Sequence, residues 1–281
     1  MPNLQETHGR LRVGLFIIGD EILSGKKADQ HFSKVIELLR VRGLYLSWVQ
    51  YLPDDRPLLI QAFKQSFALC PPDQWVVFSC GGIGATPDDH TRQAAAAALD
   101  LPLILHPEAE ALIAQRCRAL ADQGKGSADM SSEENKRRLQ MGCYPQGSQI
   151  IHNAYNQIPG FGLRGHWFVP GFPVMAWPMI EQVLDTQYAS CLHQYSYKER
   201  SMRLFDAMES TISPLMDQVE IGFPGVKTFS LPTVSEVLDG ALVRKGYIEL
   251  GVKGPAETID AAFAHLLNGV RQLGLDFELC E

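Results

Sequence analysis

A glycine-rich turn between residues 80 and 90 has the composition of an anion-binding site. Gly81, Gly82 and Gly84 follow a short apolar run and precede an Ala-rich stretch that favours a helix. Glycines lack side chains, so their backbone N–H groups can face a phosphate, and the next helix adds unpaired first-turn donors and the positive end of its dipole. The order of strand, turn and helix therefore predicts a phosphate site.

Two adjacent carboxylates, Asp88 and Asp89, lie between this turn and the helix. They would repel a bound phosphate unless a divalent cation or a developing positive centre lay between them and the phosphate. The combination favours a metal-assisted phosphate site over a plain phosphate cradle. Helix capping is the alternative that the spacing leaves open, because aspartate is a favoured N-cap residue and glycine is common in strand-to-helix turns.

The composition excludes several other functions. The chain of 281 residues carries a formal charge of -7 and no long Lys/Arg run, which argues against nucleic acid or an anionic membrane surface as a partner. Its N-terminus is polar, and no stretch offers the roughly 18 consecutive apolar residues of a membrane span. Six widely spaced cysteines without a C-x-x-C pair, and eight histidines without ligand spacing, indicate reduced thiols and no zinc site. We expect a cytoplasmic protein.

The chain divides by pattern into a large and a small part. Between residues 12 and 192, short β-rich runs alternate with helical periodicity, which is typical of a doubly wound α/β sheet. The nearly continuous apolar run from Val13 to Ile18 suits a central strand that is covered on both faces. We predict a flexible N-terminus over residues 1–11, an α/β domain over 12–192 and a small α+β domain over 193–281.

Several short motifs, taken in order, resemble one family. The chain is similar to the molybdopterin-binding domain of molybdenum-cofactor biosynthesis proteins, in the form found at the N-terminus of competence/damage-inducible protein A. The similarity extends over residues 12–191, the tail resembles the small domain that follows in those proteins, and no deamidase domain is expected in this chain. The motifs are Gly19-Asp-Glu-Ile-Leu-Ser-Gly25, the turn from Gly81 to Thr91, Glu134-Asn135-Lys136, Asn153, Pro159-Gly-Phe161 and Pro170-Gly-Phe-Pro173.

The resemblance implies a fold, a ligand class and two activities. The fold is a three-layer α/β/α sandwich with a mostly parallel sheet, and such domains often form homo-oligomers. The ligand is a small molecule in which a pterin or nucleotide is joined to phosphate or pyrophosphate, with molybdopterin as one candidate. The activity is either adenylyl transfer to molybdopterin or metal-dependent hydrolysis of ADP-ribose or FAD, and both reactions attack a phosphoanhydride.

The same resemblance assigns roles to individual residues. It implies that Asp89 and Asp54 are catalytic, and that Asp89, Asp54 and Asp20 hold a divalent Mg²⁺, Mn²⁺ or Co²⁺ ion. Each of these aspartates follows the end of a predicted strand, which places it at the usual ligand-binding edge of an open α/β sheet. The residues expected to bind the ligand are Gly19, Asp20, Glu21, Gly81, Gly82, Gly84, Thr86, Asp88, Asn135, Lys136, Asn153, Pro170 and Gly171.

Three positions depart from the family pattern. Cys80 stands where a threonine is usual, His31 replaces an asparagine or serine, and Met175 replaces a glutamate. Loss of one charge-stabilising group can lower a rate on the order of a hundredfold or more while binding persists. We therefore predict a metal-dependent nucleotide pyrophosphatase, with a non-catalytic molybdopterin-binding protein and a molybdopterin adenylyltransferase as the alternatives.

Overall fold

The computed structural model describes residues 11–194, 197–238, 241–244 and 246–280. Residues 1–10 of the N-terminus that we predicted to be flexible lie outside this described part. The chain divides into two compact units, and the boundary between them falls between His193 and Gln194. Each unit is described below by itself.

The first unit alternates strands and helices. Its strands, named β1 to β8 in chain order, are Arg12–Ile18, Leu46–Leu52, Trp75–Cys80, Leu103–Leu105, Cys143–Pro145, Gln149–Ile151, Gly160–Leu163 and His166–Val169. Its helices, named α1 to α7, are Asp20–Leu23, His31–Arg40, Arg56–Leu69, Thr91–Ala98, Pro107–Asp122, Glu133–Gln140 and Pro173–Gln187. None of the described helices combines the length and apolar character needed to cross a bilayer.

The central sheet of this unit is mostly parallel. Its strand order is β2-β1-β3-β8-β7-β6. The pairs β1–β2, β1–β3 and β3–β8 are parallel, whereas β7 pairs antiparallel with both β8 and β6. The short strands β4 and β5 form a separate antiparallel pair. The predicted α/β fold class with a mostly parallel sheet is confirmed.

Strand β1 is apolar on both faces because helices cover both sides of the sheet. Val13, Leu15 and Ile17 pack into one core, in which residues of α2 and α7 also lie. Phe16 and Ile18 pack into a second core, which contains residues of α3 and α4. The alternation of side chains along a strand therefore serves two cores, and the first unit has three layers.

The sequence also explains where two of the helices begin. Asp55 is the N-cap of α3, and its carboxylate accepts a hydrogen bond of 2.9 Å from the backbone N–H of Leu58. The carboxylate of Asp29 accepts hydrogen bonds from the N–H groups of His31 and Phe32 in the first turn of α2. Both aspartates satisfy donors that a helix start leaves unpaired. They fix the ends of the two loops that leave β1 and β2.

The four parallel strands end at the same edge of the sheet. Strands β1, β2, β3 and β8 end at Ile18, Leu52, Cys80 and Val169. The chain then continues into loops that carry most of the motifs noted in the sequence. These loops meet at one edge because parallel strands point in the same direction, and the crevice they form is the usual ligand site of such folds.

The second unit is a small antiparallel α+β fold. Its elements are β9 Tyr197–Phe205, α8 Glu209–Gly222, β10 Lys227–Thr233, β11 Glu236–Leu238, β12 Ala241–Arg244, β13 Tyr247–Pro255, α9 Ala256–Gln272 and β14 Asp276–Leu279. Helices α8 and α9 lie on a sheet with strand order β10-β13-β9-β14, and β11 and β12 form a separate antiparallel pair. Alternate residues of β9 and β13, such as Met202 and Leu250, are fully buried among residues of the two helices.

Candidate functional site

A cavity of about 780 Å³ opens at the carboxyl edge of the parallel strands. The loops after β1, β2, β3 and β8 supply most of its wall. The loop between β6 and β7, the residue after α6 and the first turns of α2 and α7 supply the rest. This volume is in the range of pockets that hold a nucleotide-sized ligand. We call this cavity the carboxyl-edge pocket.

The glycine turn forms one wall of the pocket and has no room for side chains. Gly81 and Gly82 have positive φ values of 112° and 67°. A Cβ on Gly81 would lie 2.3 Å from the carbonyl oxygen of Ile18, and one on Gly82 would lie 2.3 Å from Oγ1 of Thr91. That Thr91 hydroxyl donates a hydrogen bond of 3.0 Å to the carbonyl of Gly81. Glycine is therefore required by both the backbone conformation and the close packing.

Asp89 holds this turn in shape. Its Oδ1 accepts a hydrogen bond of 2.9 Å from the N–H of Gly84, and its Oδ2 accepts from the N–H and the hydroxyl of Thr86 at 2.8 and 2.5 Å. Helix α4 begins at Thr91, and its N-cap residue, His90, makes no side-chain capping bond. Asp89 therefore does not cap the helix as the alternative interpretation supposed, because its oxygens bind the turn that precedes it.

Asp20 and Asp54 form a reciprocal pair across the ends of β1 and β2. The N–H of Asp20 donates to Oδ2 of Asp54 at 3.0 Å, and the N–H of Asp54 donates to Oδ1 of Asp20 at 3.2 Å. The other oxygen of Asp54, Oδ1, lies 3.6 Å from the position that a Cβ on Gly82 would take. One carboxylate oxygen of Asp54 thus lies close to Gly82 of the glycine turn.

The surroundings of Asp54 favour its protonated form. Burial raises the pKa of this carboxyl above its ordinary value, and the negative charges of Asp20, Glu21 and Asp88 raise it further, although the hydrogen bond from the backbone of Asp20 opposes them. By contrast, the Thr86 side chain beside Asp88 is the main cause that lowers the pKa of this exposed carboxyl. Of these two carboxyls, Asp54 is therefore the one whose ionised form is disfavoured by its surroundings.

Part of the pocket wall is apolar. The loop before β7 contributes Ile158 and Pro159, the start of α7 contributes Met175, and Phe172, which also lines the pocket, is 63% exposed. Asn153 lines the pocket too, but its amide donates to the carbonyl of Ile158 and to another side chain of its own loop. The pocket therefore combines the polar glycine turn with apolar surface suited to a flat ring.

The structure brings most of the predicted site residues to this pocket. Asp20 does not line the pocket but is bonded to Asp54, which does. Asn135 is fully buried and donates to backbone carbonyls of residues 127 and 129, and Lys136 pairs with Glu133. Neither lines the pocket. The predicted residues that do are Gly19, Glu21, Asp54, Gly81, Gly82, Gly84, Thr86, Asp88, Asp89, Asn153, Pro170 and Gly171.

The three departures from the family pattern lie at or next to the pocket. Cys80 is buried, and burial raises the pKa of its thiol well above the ordinary value, so it is not a nucleophile. Nε2 of His31 lies 3.0 Å from the carbonyl oxygen of Gly171 and donates to it, which fixes this ring against the loop after β8. Met175 accepts a hydrogen bond from the amide of Asn156.

Arg92, Met141 and Asn156 were not among the site residues predicted from the sequence. Met141 and Asn156 line the pocket, and Arg92 donates a hydrogen bond of 2.7 Å to the carbonyl of Gly84 in the turn. One signal was present for Arg92, because it is a charged residue at the start of an Ala-rich helix and next to the turn. Nothing in the sequence marked Met141, because a methionine is equally consistent with ordinary core packing.

The candidate position for a divalent metal ion is the acidic pair at the edge of the pocket, where Asp54 lines the wall and Asp20 is bonded to it. Among the residues that the structure describes, no three His, Cys, Asp or Glu side chains come together as a metal site. Mg²⁺, however, is usually bound through one or two carboxylates together with the phosphates of a substrate. Asp20 and Asp54 supply two such carboxylates beside the turn, so they are the residues that would hold the ion.

The fold and the site together define a class of protein. A three-layer α/β domain with a glycine turn, an acidic pair and apolar side chains around a cavity at its carboxyl edge has the architecture of a domain that binds a small molecule there. Residues 14–189 match the family described as a probable molybdopterin binding domain. The chain belongs to this family, and the resemblance inferred from the motifs is confirmed.

Individual relatives agree with this assignment. A CinA-like protein of Syntrophotalea carbinolica is 28% identical over 76% of this chain and 51% of its own length, so the chain spans about half of that relative. A protein of Sulfurisphaera tokodaii is 24% identical over 85% of both chains. In structure, the CinA protein of Thermoplasma acidophilum matches 61% of this chain and 96% of its own with a TM-score of 0.50 and 21% identity, which supports the fold.

Proposed function

We propose that the protein is a divalent-metal-dependent pyrophosphatase that cleaves a nucleotide phosphoanhydride of the ADP-ribose or FAD type. The observation that carries the proposal is the position of Asp54, whose Oδ1 lies close to Gly82 of the glycine turn while Oδ2 is tied to Asp20. A diphosphate on the turn amides would lie next to this acidic pair. The polar turn and the apolar surface of the pocket then match a ligand with a flat ring and a charged diphosphate.

Each part of the pocket has a task in this reaction. The N–H groups of Gly81 and Gly84, which the sequence predicted to face a phosphate, already donate to the carbonyl of Val169 and to Asp89. The turn amides left to bind non-bridging phosphate oxygens are therefore those of Gly82, Ile83 and Ala85, and their fixed geometry stabilises the charge that develops on these oxygens. Asp20 and Asp54 are the residues that would hold a divalent ion, which would supply charge neutralisation and a more acidic water. Water adds to the AMP phosphorus of ADP-ribose, the bridging oxygen leaves, and AMP and ribose 5-phosphate form. The apolar wall orients the ring and limits access of bulk water.

The test is release of AMP from ADP-ribose or FAD in the presence of Mg²⁺, Mn²⁺ or Co²⁺. We expect turnover by the wild-type chain and a loss of about a hundredfold or more in Asp54→Asn, because this change removes a carboxylate from the charged site. The matched control is Asp55→Asn, because Asp55 is the adjacent acid but caps α3 and does not line the pocket. Absence of AMP with all three metals, or equal rates in D54N and wild type, would refute hydrolysis.

A second candidate, non-catalytic binding of molybdopterin or a related pterin, has one observation in its favour. Both oxygens of Asp89, one of the two carboxylates expected to be catalytic, already accept hydrogen bonds from the turn. A pocket of this kind holds a ligand without needing Asp89 for chemistry. Binding without turnover predicts no product and a rise in Tm with pterin ligands. A ligand at 100 times its Kd adds about 2.7 kcal/mol to the free energy of unfolding. Adenylyl transfer remains the third candidate, with AMP transferred to molybdopterin as its readout.

A further inference from the structure

Two arginines of the first unit are buried, but their charges are balanced in different ways. Arg42 is 8% exposed, and its guanidinium bonds the carboxylates of Asp185 and Glu181. Arg92 is 3% exposed, and its guanidinium donates to two backbone carbonyls, those of Gly84 and Gln140. Among the described residues, no carboxylate lies within ion-pair distance of Arg92.

A buried guanidinium without a carboxylate partner is costly. Arginine keeps its charge inside proteins, and an uncompensated buried charge is strongly unfavourable. Burial is the main cause that lowers the pKa of Arg92, and the charge of Asp89, which lies beyond ion-pair distance, opposes it only in part. Its Nε is buried and has no hydrogen-bond partner. The C-terminal end of α6, which supplies the Gln140 carbonyl, offsets only part of this cost through the helix dipole.

The position of Arg92 links it to the anion-binding turn. The peptide group on each side of Gly84 is held, because the Gly84 N–H donates to Asp89 while the Gly84 carbonyl accepts from Arg92. The other bond of Arg92 reaches Gln140, the residue before Met141 of the pocket wall. The guanidinium therefore lies directly behind the turn and fastens it to the end of α6.

We propose that Arg92 is a positioning residue that supplies, through the Gly84 peptide, the buried positive charge for a phosphoryl group bound at the glycine turn. This inference rests on the proposed function, since it takes the turn to be the diphosphate site. Most charged groups on the pocket wall are acidic, among them Asp54, Asp88 and Asp89, and the ammonium of Lys27, which also lines the pocket, pairs with Glu21. A cation that is shielded from water acts strongly over this short range, so the affinity for a ligand should depend on the ligand's negative charge.

The experiment measures the Kd of inorganic pyrophosphate and of adenosine, AMP and ADP by calorimetry, with and without Mg²⁺. Arg92→Gln removes the charge but keeps N–H donors, and Arg92→Lys keeps the charge but loses the planar fork. We expect R92Q to weaken pyrophosphate and ADP at least about tenfold, AMP less and adenosine less than threefold, whereas R92K stays within threefold of wild type for all four. A tenfold change corresponds to about 1.4 kcal/mol.

Arg42→Gln is the matched control, because Arg42 is also buried but its guanidinium pairs with the carboxylates of Glu181 and Asp185 and makes no hydrogen bond to the glycine turn. We expect R42Q to lower Tm without changing the Kd of pyrophosphate. If R92Q does not fold, R92K alone tests the proposal, because a loss of more than tenfold in pyrophosphate affinity with the charge retained would overturn it.

Three other results would overturn the role of Arg92: an unchanged pyrophosphate Kd in R92Q, an equal loss for adenosine and ADP, or no pyrophosphate binding by the wild type. These outcomes are separate from the fate of the hydrolase proposal. Arg92-dependent binding without AMP release would refute hydrolysis alone, and AMP release that is insensitive to Arg92 would refute this inference alone.

Discussion

Asp89 and Asp54 carry the same carboxylate group but have different tasks because their surroundings differ. Three donors from Gly84 and Thr86 bind Asp89 and commit it to the shape of the turn. Asp54 accepts a bond from Asp20 at one oxygen, and burial together with acidic neighbours raises its pKa. Ionisation of Asp54 therefore lowers the stability of the folded protein, and a bound cation would offset this loss.

Replacing Asp54 should stabilise the protein while it removes function. Because the folded state raises the pKa of Asp54, the folded state favours the protonated form, and the ionised carboxylate lowers stability at neutral pH. We expect Asp54→Asn to raise Tm at pH 7.5 by a small amount. The gain should shrink as the pH falls through the pKa of Asp54, since the wild-type group then becomes neutral too. Thermal unfolding followed by circular dichroism between pH 7.5 and 4 measures both effects.

Asp55→Asn serves as the control for this experiment. Asp55 is the neighbouring acid and loses the same formal charge, but it caps α3 and an asparagine can do the same. We expect no comparable pH-dependent gain in D55N. A D54N protein that is less stable than wild type at pH 7.5 would contradict the conclusion that the ionised Asp54 carboxylate destabilises the folded protein.

The turn between β3 and α4 shows how one short element sets up the site. Gly81 and Gly82 have positive φ angles, and the contacts with Ile18 and Thr91 leave no space for a methyl group. The turn follows a buried strand and is packed against the end of β1. We expect any anion to be bound by those backbone N–H groups of the turn that are not already bonded within the protein.

A methyl group on Gly82 should disrupt ligand binding more than it disrupts folding. In Gly82→Ala the Cβ would meet Oγ1 of Thr91 at 2.3 Å, so the turn must move. We expect the Kd of pyrophosphate to rise about tenfold or more, and the free energy of unfolding to fall by about 1–2 kcal/mol from the left-handed backbone. Calorimetric titration and urea unfolding measure the two changes.

Gly124→Ala provides the matched comparison, because Gly124 has a similar φ of 71° and a Cβ there would meet nothing within 4 Å. We expect a similar loss of stability in G124A and an unchanged Kd, since Gly124 does not line the pocket. Equal affinities in the two variants would show that the conformation of the turn does not matter for binding.

The residues that line the pocket belong to one of the two units of the chain. Every residue that lines the carboxyl-edge pocket lies between residues 18 and 175, within the first unit. The second unit has its own apolar core around Leu250 and Phe263. Residues for ligand binding and residues for the second core are thus separated along the chain, and each unit has the buried side chains that independent folding requires.

A fragment of residues 9–193 should therefore fold and bind alone. We expect cooperative unfolding and a pyrophosphate Kd within threefold of that of the full chain, because both cores of the sheet and the whole pocket are retained. Circular dichroism and calorimetry test this, with the full chain in the same buffer as the reference. An unfolded fragment, or a tenfold loss of affinity, would show that residues after 193 contribute to the site. Light scattering on both proteins would also test the predicted homo-oligomer.

Local patterns predicted much of this fold. The apolar run from Val13 to Ile18 predicted a central strand, and β1 spans Arg12–Ile18 between two parallel neighbours. Hydrophobic burial on both faces leaves a strong signal of this kind in a sequence. The antiparallel pairing of β7 with β8 and β6 was not predicted, because the order of strands depends on contacts between segments far apart in the chain.

The glycine turn, the three aspartates at strand ends and the family were already evident in the amino-acid sequence, because backbone freedom and the direction of parallel strands act locally or follow from the fold class. Folding in three dimensions assigned the tasks within that set. It bonded Asp89 to the turn, paired Asp54 with Asp20, kept Asn135 away from the pocket and brought Arg92 behind Gly84. These outcomes depend on distances and burial, which residue types alone do not contain.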